Sequence, residues 1–282
     1  MRAFVHKLPA QWHSRTVHVH VAGCGGSGCH LLMGLAQLQK ALRGLGHPGL
    51  EVTAFDPDAV SEANLGRQLF TEADLGQNKA LILIHRLNIA FGLDWCAVPL
   101  EYRPYQRTPD LLVSCVDSKQ ARAGIHERIK DGRADYWMDL GNGPDYGQVV
   151  LGQVGPAKRR LANVAELYPE MLQGYENDEP SCSLAEALTH QELFVNRALT
   201  AFALHLVWTM FRRGEIRVAG CFLNLREMTT VPLPPQRRQL PGERRSRGER
   251  AKASSKPAAK RMLRTAPSTA PLDSSREGFD SP

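Results

Sequence analysis

The sequence predicts a doubly wound α/β fold, in which helices cover both faces of a mainly parallel sheet. Two observations support this prediction. Short apolar segments alternate with helical patterns between residues 17 and 140, as in consecutive βαβ units. The first apolar segment also ends in a glycine cluster and continues directly into a helical pattern, which is typical of a strand, a tight loop and a helix.

The glycine cluster lies between strand Val17–Ala22 and a helix that runs to the breaker at residues 44–49. Glycine adopts positive φ and lets a ligand approach the backbone, and a helix N-terminus offers unpaired N–H groups and partial positive charge. The sequence therefore predicts a phosphate-binding loop at Gly23, Gly25, Gly26 and Gly28. A tight turn that binds nothing is the alternative, and glycines alone do not distinguish NAD, FAD, SAM and ATP.

The second strand, Glu51–Asp56, ends in an acidic residue. In dinucleotide folds a carboxylate at this place binds ribose, about 20 residues after the glycine loop. Here Asp56 follows Gly28 by 28 residues because GLGHPGL is inserted between helix and strand. Asp56 is therefore a candidate ribose ligand.

A polar connection follows the second strand where a dehydrogenase would begin an amphipathic helix. It contains Asn64, Arg67, Gln68 and Lys79. Arginine offers a planar fork to phosphate oxygens and lysine a compact charge, and both suit a polyphosphate that is cleaved rather than only held. This cluster favours ATP over a dinucleotide.

The motifs of residues 21–80 resemble the ThiF/MoeB/HesA family, the prokaryotic relatives of ubiquitin-activating enzymes. They read GCGGSG, DPDAV, NLGRQLF and GQNKA, and the likeness continues through LLVSCVDSKQAR over about half the chain. The resemblance implies a Rossmann-like fold, ATP and magnesium as cofactors, and a homodimer. The run PSCSLAEALTHQELFVN, with no cysteine pairs for zinc, looks most like the ThiF-related proteins of PRTRC cassettes.

The same resemblance implies roles for individual residues. It assigns the ribose to Asp56, the phosphates to Asn64, Arg67 and Lys79, and the magnesium ion to Asp117. Asp58 and Gln68 lie within the matching motifs and complete the predicted nucleotide-binding set. Ser118 stands where many family members have asparagine. A helix N-cap before residues 118–130 is the alternative role for Asp117.

The following segments predict the rest of the sheet and a long connection. We expect strands at Trp95–Tyr102, Leu111–Val116 and Ala134–Leu140, and an antiparallel strand at Tyr146–Val154. Residues 155–183 contain Pro156, Pro169 and Pro180 and no clear pattern. The family resemblance implies a crossover here, above the adenylation site, in which Cys182 is a candidate acceptor of the activated protein.

The C-terminal third predicts one helix, one hairpin and a disordered tail. The helix begins at the capping box Ser183–Glu186 and runs to about Phe211. Its predicted core side holds apolar residues at helical spacing, namely Leu193, Phe194, Leu199, Phe202 and Leu206. The predicted hairpin pairs Glu215–Val218 with Cys221–Thr230, and it gives the sheet an antiparallel extension.

Charge and composition divide the chain at about residue 235. Residues 236–282 hold twelve of the 35 basic and five of the 29 acidic residues, which leaves 23 basic and 24 acidic residues in the remainder. We therefore predict an adenylation domain at 1–235 and a basic, disordered tail at 236–282. A basic tail allows association with nucleic acid as an additional role.

Composition also bears on location and metal content. The longest near-apolar run, Ala198–Phe211, has 14 residues and contains a histidine, whereas a membrane-spanning helix needs about 20. The N-terminus lacks the apolar centre of a signal peptide, so we expect a cytoplasmic protein. None of the six cysteines forms a C-x-x-C pair, which argues against structural zinc and favours reduced thiols.

Together these features predict ATP-dependent adenylation of the C-terminal carboxylate of a ubiquitin-like or sulfur-carrier protein, with release of pyrophosphate. The glycine loop and Asp56 also suit an NAD-dependent oxidoreductase. A nucleotide-binding scaffold without catalysis, whose tail contacts DNA or acidic partners, is the third interpretation.

Overall fold

The computed structural model describes residues 4–104, 107–157, 160–173 and 191–238. All of them belong to the first of the two units into which the chain divides, Met1–Arg244. The helices are α1 (Gly26–Gly44), α2 (Lys79–Phe91), α3 (Lys119–Ile129), the short α4 (Val164–Leu167) and α5 (Val195–Arg213). The strands are β1 (His6–Lys7), β2 (Val17–Ala22), β3 (Leu50–Phe55), β4 (Cys96–Val98), β5 (Leu111–Ser114), β6 (Tyr136–Asn142), β7 (Tyr146–Gln153), β8 (Glu215–Ile216), β9 (Gly220–Asn224) and β10 (Thr229–Leu233).

The main sheet has eight strands in the order β10-β9-β7-β6-β5-β2-β3-β4. The strands from β4 to β6 pair in parallel, and β7, β9 and β10 extend the sheet with antiparallel pairs. The predicted α/β fold with a mainly parallel sheet and a C-terminal antiparallel extension is therefore confirmed. Because β2 lies between β3 and β5, the chain leaves β2 and β5 in opposite directions, which opens a crevice at their carboxyl ends.

Helices α1 and α5 pack together on one face of the sheet. Their close approach depends on Gly34, where a Cβ atom would lie 2.0 Å from a Leu204 methyl carbon. Helix α3 covers the opposite face, where His126 stacks on Trp137 with ring centroids 5.9 Å apart. Side chains of β6 alternate between these two cores, since Tyr136 and Met138 belong to the α1/α5 core.

The predicted hairpin between Glu215–Val218 and Cys221–Thr230 is wrong. Glu215–Ile216 pairs instead with His6–Lys7 near the N-terminus, and the hairpin forms within the second segment, where β9 pairs with β10. The turn lies at residues 225–228, where Met228 has a φ of +50°. The sequence offered no signal for a partner two hundred residues away, because two-residue strands have no readable alternation.

Helix α5 also differs from the prediction. It begins at Val195, and the predicted start at the capping box Ser183–Glu186 lies outside the described residues. Leu199 and Leu206 are buried as expected, whereas Leu193, Phe194 and Phe202 are exposed. The third strand is shorter than predicted, spanning Cys96–Val98. No helix of the described residues is long and apolar enough to cross a membrane.

The described chain continues beyond Pro235 and remains attached to the domain. The Ala162 N–H donates to Gln236 O at 2.8 Å, and Arg238 Nε lies 3.0 Å from Glu166 Oε1. The predicted disordered tail otherwise lies outside the described residues. A truncation that tests the proposed domain boundary should therefore end after Arg238.

We expect truncation after Arg238 to leave a folded protein that retains its nucleotide binding. Residues 239–282 are rich in proline, serine and basic residues and contain too little apolar surface to offset the entropy of ordering. Thermal unfolding and ATP binding of the truncated and full-length chains check this. Loss of either property would show that the tail contributes to the domain, and truncation after Pro235 provides a matched comparison in which the 236–238 contacts are removed.

Candidate functional site

The predicted site residues follow the carboxyl ends of three adjacent parallel strands. The glycine loop follows β2, Asp56 follows β3, and Asp117 follows β5. These ends flank the crevice between β2 and β5, which is where doubly wound sheets bind ligands. The topology alone therefore brings segments 23–28, 56–79 and 115–117 to one edge of the sheet.

Backbone approaches that only glycine permits shape the loop after β2. Gly23 has a φ of +93°, and a Cβ there would lie 2.6 Å from Cys115 O. A Cβ at Gly28 would lie 1.9 Å from Gly23 O, so Gly28 lets α1 start directly against the loop. Among the residues that the structure describes, no side chain caps the N-terminus of α1 at Gly25. Its first N–H groups are therefore available to an anion.

Asp56 is buried against this loop. Its carboxylate accepts hydrogen bonds from the N–H of Cys24 at 2.6 Å and from the N–H of Asp58 at 2.9 Å. Burial raises the pKa of Asp56, while these hydrogen bonds and the charge of Lys79 act in the opposite direction. A carboxylate fixed in this way can accept a hydrogen bond from a ligand hydroxyl without reorganising.

Lys79 begins α2 and points back towards the glycine loop. Its Nζ lies 3.1 Å from Asp58 Oδ2, with the lysine side chain 10% exposed and the aspartate side chain 63% exposed. The positive charge also acts on Asp56 and Cys24. Lys79 is thus a largely buried cation held by an exposed carboxylate at the edge of the loop.

The segment after β3 contributes Asn64, Arg67 and Gln68. Asn64 Oδ1 accepts from the Ser61 N–H at 3.0 Å, so the side chain would meet a ligand through its Nδ2 donor. Gln68 Oε1 is buried and has no hydrogen-bond partner among the described residues, and its amide lies 3.9 Å from the position of a Cβ on Gly25. A buried amide oxygen of this kind beside the start of α1 is consistent with a polar ligand at this place.

Arg67 and Asp117 interact electrostatically across the crevice. Burial lowers the pKa of Arg67, and the negative charge of Asp117 raises it. The alternative role of Asp117 as a helix N-cap is wrong, because Ser118 caps α3 by accepting the Ala121 N–H at 3.1 Å. Asp117 itself is exposed, so its carboxylate is free to meet a ligand.

A buried ion pair supports the Asp117 segment from below. Arg122 Nε donates to both carboxylate oxygens of Asp139, at 2.9 and 3.0 Å, and Ser114 Oγ donates to the same carboxylate at 2.7 Å. Arg122 also donates to Val116 O at 3.2 Å and to Met171 O at 3.3 Å. One guanidinium therefore joins α3, β6 and the residue that precedes Asp117.

Sequence reasoning missed these supporting residues, together with Gln191 and Asn196. A signal for Arg122 existed, since it lies one helical turn after the cap at Ser118 and would face the sheet beneath Asp117. Gln191 and Asn196 hydrogen-bond to Arg67 and to Ser27 of the crevice. They lie within the run PSCSLAEALTHQELFVN, which resembles a family subgroup but predicted no role for either residue, and they are distant in sequence from the motifs of residues 21–80.

The thiols near the site are not activated. Burial raises the pKa of Cys24 and Cys115 well above the ordinary range and that of Cys29 to about 11, so they remain protonated at neutral pH. Cys182, the candidate acceptor, lies outside the described residues.

Comparison with protein families agrees with this geometry. Residues 3–133 match the ThiF family. The chain carries a ThiF-family domain. The matched range includes the glycine loop, Asp56, Arg67, Lys79 and Asp117, which are the residues around the crevice. A search of curated proteins gave no significant match.

Solved structures with the same fold as this chain include Escherichia coli MccB. MccB with MccA-N7isoASN is 18% identical, with a TM-score of 0.55 over 77% of this chain and 64% of MccB. MccB with ATP is 17% identical, with a TM-score of 0.54 over 77% and 64%. The microcin C7 biosynthetic enzyme MccB with N-formylated MccA is 17% identical, with a TM-score of 0.56 over 79% and 66%. The chain thus spans about two thirds of MccB or slightly less, and the likeness describes the fold.

Proposed function

We propose that this chain is an ATP-dependent adenylyltransferase that activates the C-terminal carboxylate of a ubiquitin-like or sulfur-carrier protein. The main support is the convergence of an uncapped helix N-terminus, two cations and an exposed carboxylate at one crevice of a ThiF-family domain. The solved structures of MccB with ATP and with N-formylated MccA provide further support.

In the proposed reaction, a carboxylate oxygen of the carrier protein attacks the α-phosphorus of ATP. The bond from that phosphorus to the bridging β-phosphate oxygen breaks, so that an acyl-adenylate forms and pyrophosphate leaves. Negative charge grows on the departing oxygens, and the N–H groups of α1, Arg67 and Lys79 would stabilise it. The chain contributes position and charge rather than a covalent intermediate at this step.

The residues present suit each part of ATP. Asp56, fixed by two backbone N–H groups, would accept from a ribose hydroxyl, and Gln68 and the Nδ2 of Asn64 would complete the polar lining. Magnesium neutralises phosphate charge when bound, and Asp117 would hold it together with phosphate oxygens. Among the described residues no group of three or more acidic, histidine or cysteine side chains could hold a metal ion.

Exchange of labelled pyrophosphate into ATP tests this function directly. Each small ubiquitin-like protein of the same genome would be supplied in turn, with the same protein lacking its last two residues as the control. Exchange that requires the intact C-terminus is the expected result. Oxidation or reduction of a nicotinamide cofactor would instead support the oxidoreductase, and ATP binding without exchange would support the scaffold.

Lys79→Ala should slow ATP-dependent pyrophosphate exchange, because it removes a charge-assisted contact to the leaving phosphates. We expect a loss of transition-state stabilisation on the order of 2–4 kcal/mol. Lys40→Ala is the matched control, since Lys40 is an exposed lysine on α1. The measurement is the rate of pyrophosphate exchange at saturating carrier protein. A loss smaller than about tenfold for Lys79→Ala would place the phosphates elsewhere.

The proposal also includes the oligomeric state, the family subgroup, the cellular location, the role of the basic tail and the step after adenylation. Homodimer formation, membership of the PRTRC subgroup, a cytoplasmic location, nucleic-acid association through the basic tail, and transfer to Cys182 all remain proposals. Size-exclusion chromatography with light scattering decides the oligomeric state, and a reductant-sensitive conjugate that disappears in Cys182→Ala decides the thiol transfer.

A further inference from the structure

One amide oxygen connects the two anion-binding parts of the crevice. Gln191 Oε1 accepts from Arg67 Nη1 at 2.9 Å and from Asn196 Nδ2 at 2.8 Å. Asn196 Oδ1 in turn accepts from Ser27 Oγ, in the first turn of α1, at 2.9 Å. Arg67, the start of α5 and the start of α1 are therefore joined by consecutive hydrogen bonds.

Packing fixes the α1 end of this connection. A Cβ at Gly26 would lie 2.4 Å from Asn196 Nδ2, so the amide lies directly against the first turn of α1. Thr200 Oγ1 also donates to Ser27 O at 3.3 Å and to Asn196 O at 2.7 Å. Both Asn196 and Thr200 are buried. The Asn196 amide therefore has a single orientation relative to the N–H groups of the loop.

The Arg67 end is fixed on one edge and open on the other. Its Nε donates to Ala63 O at 3.1 Å and its Nη1 donates to Gln191. Its Nη2 makes no hydrogen bond with the part of the chain that the structure describes, and Asp117 acts on the guanidinium through its charge. One terminal nitrogen is thus available for a ligand, while the other two nitrogens hold the guanidinium plane in place.

We propose that Gln191 is a positioning residue, which sets the Arg67 guanidinium at a fixed place relative to the N-terminus of α1 so that both bind one polyphosphate. The proposal rests on the function proposed above and adds to it a residue outside the matched family segment, which ends at residue 133. A long arginine side chain that is ordered before the ligand arrives does not lose that freedom on binding.

The neutral amide is essential to this role. A glutamine oxygen accepts from the guanidinium without cancelling its positive charge, so the full charge remains available to phosphate. A glutamate at position 191 would accept the same hydrogen bonds and would also pair with Arg67, which would oppose the binding of an anion. Glutamine and glutamate therefore differ in their effect on anions although their shapes are alike.

The experiment compares Gln191→Ala and Gln191→Glu with Glu192→Ala in the full-length chain. Glu192 is the exposed neighbour, and its backbone N–H donates to Pro144 O. Calorimetry would measure binding of Mg·ATP and of adenosine, and thermal unfolding would report the fold. We expect Gln191→Ala to bind ATP about tenfold more weakly and Gln191→Glu more weakly still, with adenosine binding and unfolding temperature unchanged and Glu192→Ala equal to wild type.

The same substitution in an Arg67→Ala variant tests whether Gln191 acts through Arg67 or binds ATP directly. In Arg67→Ala, the further change Gln191→Ala should cause no additional loss of ATP affinity, because its effect passes through Arg67. Three results would each overturn the inference while leaving the proposed function intact. They are wild-type ATP affinity in Gln191→Ala, equal losses of affinity for ATP and for adenosine, and additive losses of ATP affinity in the double variant. A wild-type chain that does not bind ATP would overturn both.

Discussion

Asp117→Ala is expected to abolish pyrophosphate exchange while the protein stays folded. Asp117 is exposed, its carboxylate makes no hydrogen bond with the described residues, and Ser118 rather than Asp117 caps α3, so the fold does not depend on this side chain. The proposed magnesium ion would lose its protein carboxylate, and the loss of metal-assisted charge stabilisation costs several kcal/mol. We expect a decrease of at least about a thousandfold, the upper part of the range for one electrostatic contact.

Asp94→Ala provides the matched control, because Asp94 is an exposed aspartate after α2 and distant in sequence from the crevice motifs. Titration of magnesium strengthens the test. If Asp117 holds the ion, residual exchange in Asp117→Asn should require a higher magnesium concentration than in wild type. Wild-type exchange by a folded Asp117→Ala variant would remove Asp117 from the site.

The fold was predictable where local sequence determines local structure. The glycine loop, the strands from β2 to β6 and the helices between them follow from hydrophobic period and from turn residues, which act over a few positions. The pairing of Glu215–Ile216 with His6–Lys7 was not predictable. A two-residue strand contains no alternation, and its partner is determined by the path of α5 across the domain.

The exposed side of α5 shows the same limit. Phe194 and Phe202 fit a helical apolar pattern together with Leu199 and Leu206, yet only the latter two are buried. The width of an apolar stripe does not reveal how much of it a neighbouring helix covers. Here α1 lies close against α5 at Gly34 and covers only one side of the stripe.

The candidate site, too, was predictable only in part. Motif spacing predicted which segments follow the carboxyl ends of β2, β3 and β5, because the carboxyl ends of parallel strands meet at one edge. It did not predict what each side chain does in the folded chain. Asn64 Oδ1 is engaged by Ser61, and Lys79 is paired with Asp58. Gln191, which accepts a hydrogen bond from Arg67, is distant from it in sequence, whereas Arg122 lies close to Val116 in sequence and its role was open to prediction.

Asp139→Ala is expected to destabilise the domain by about 3–5 kcal/mol, because it leaves the Arg122 charge buried without its partner. Asp139 is fully buried and the Arg122 side chain is 6% exposed. Such a loss is a large part of the roughly 5–15 kcal/mol that stabilises a typical domain. Urea unfolding would measure it as a lower midpoint at an unchanged slope.

A double variant that removes both the Arg122 and the Asp139 charge distinguishes the effect of the ion pair on stability from its effect on pyrophosphate exchange. Arg122→Met combined with Asp139→Leu should recover much of the lost stability, since a well-packed apolar pair often replaces a buried ion pair at little cost. Exchange should nevertheless stay low, because Val116 O and Met171 O lose the guanidinium that holds them and Asp117 follows Val116 directly. Glu127→Ala, which breaks the exposed pair with Lys130, should leave the urea midpoint unchanged. A double variant that is stable and fully active would show that Arg122 stabilises the fold without orienting Asp117.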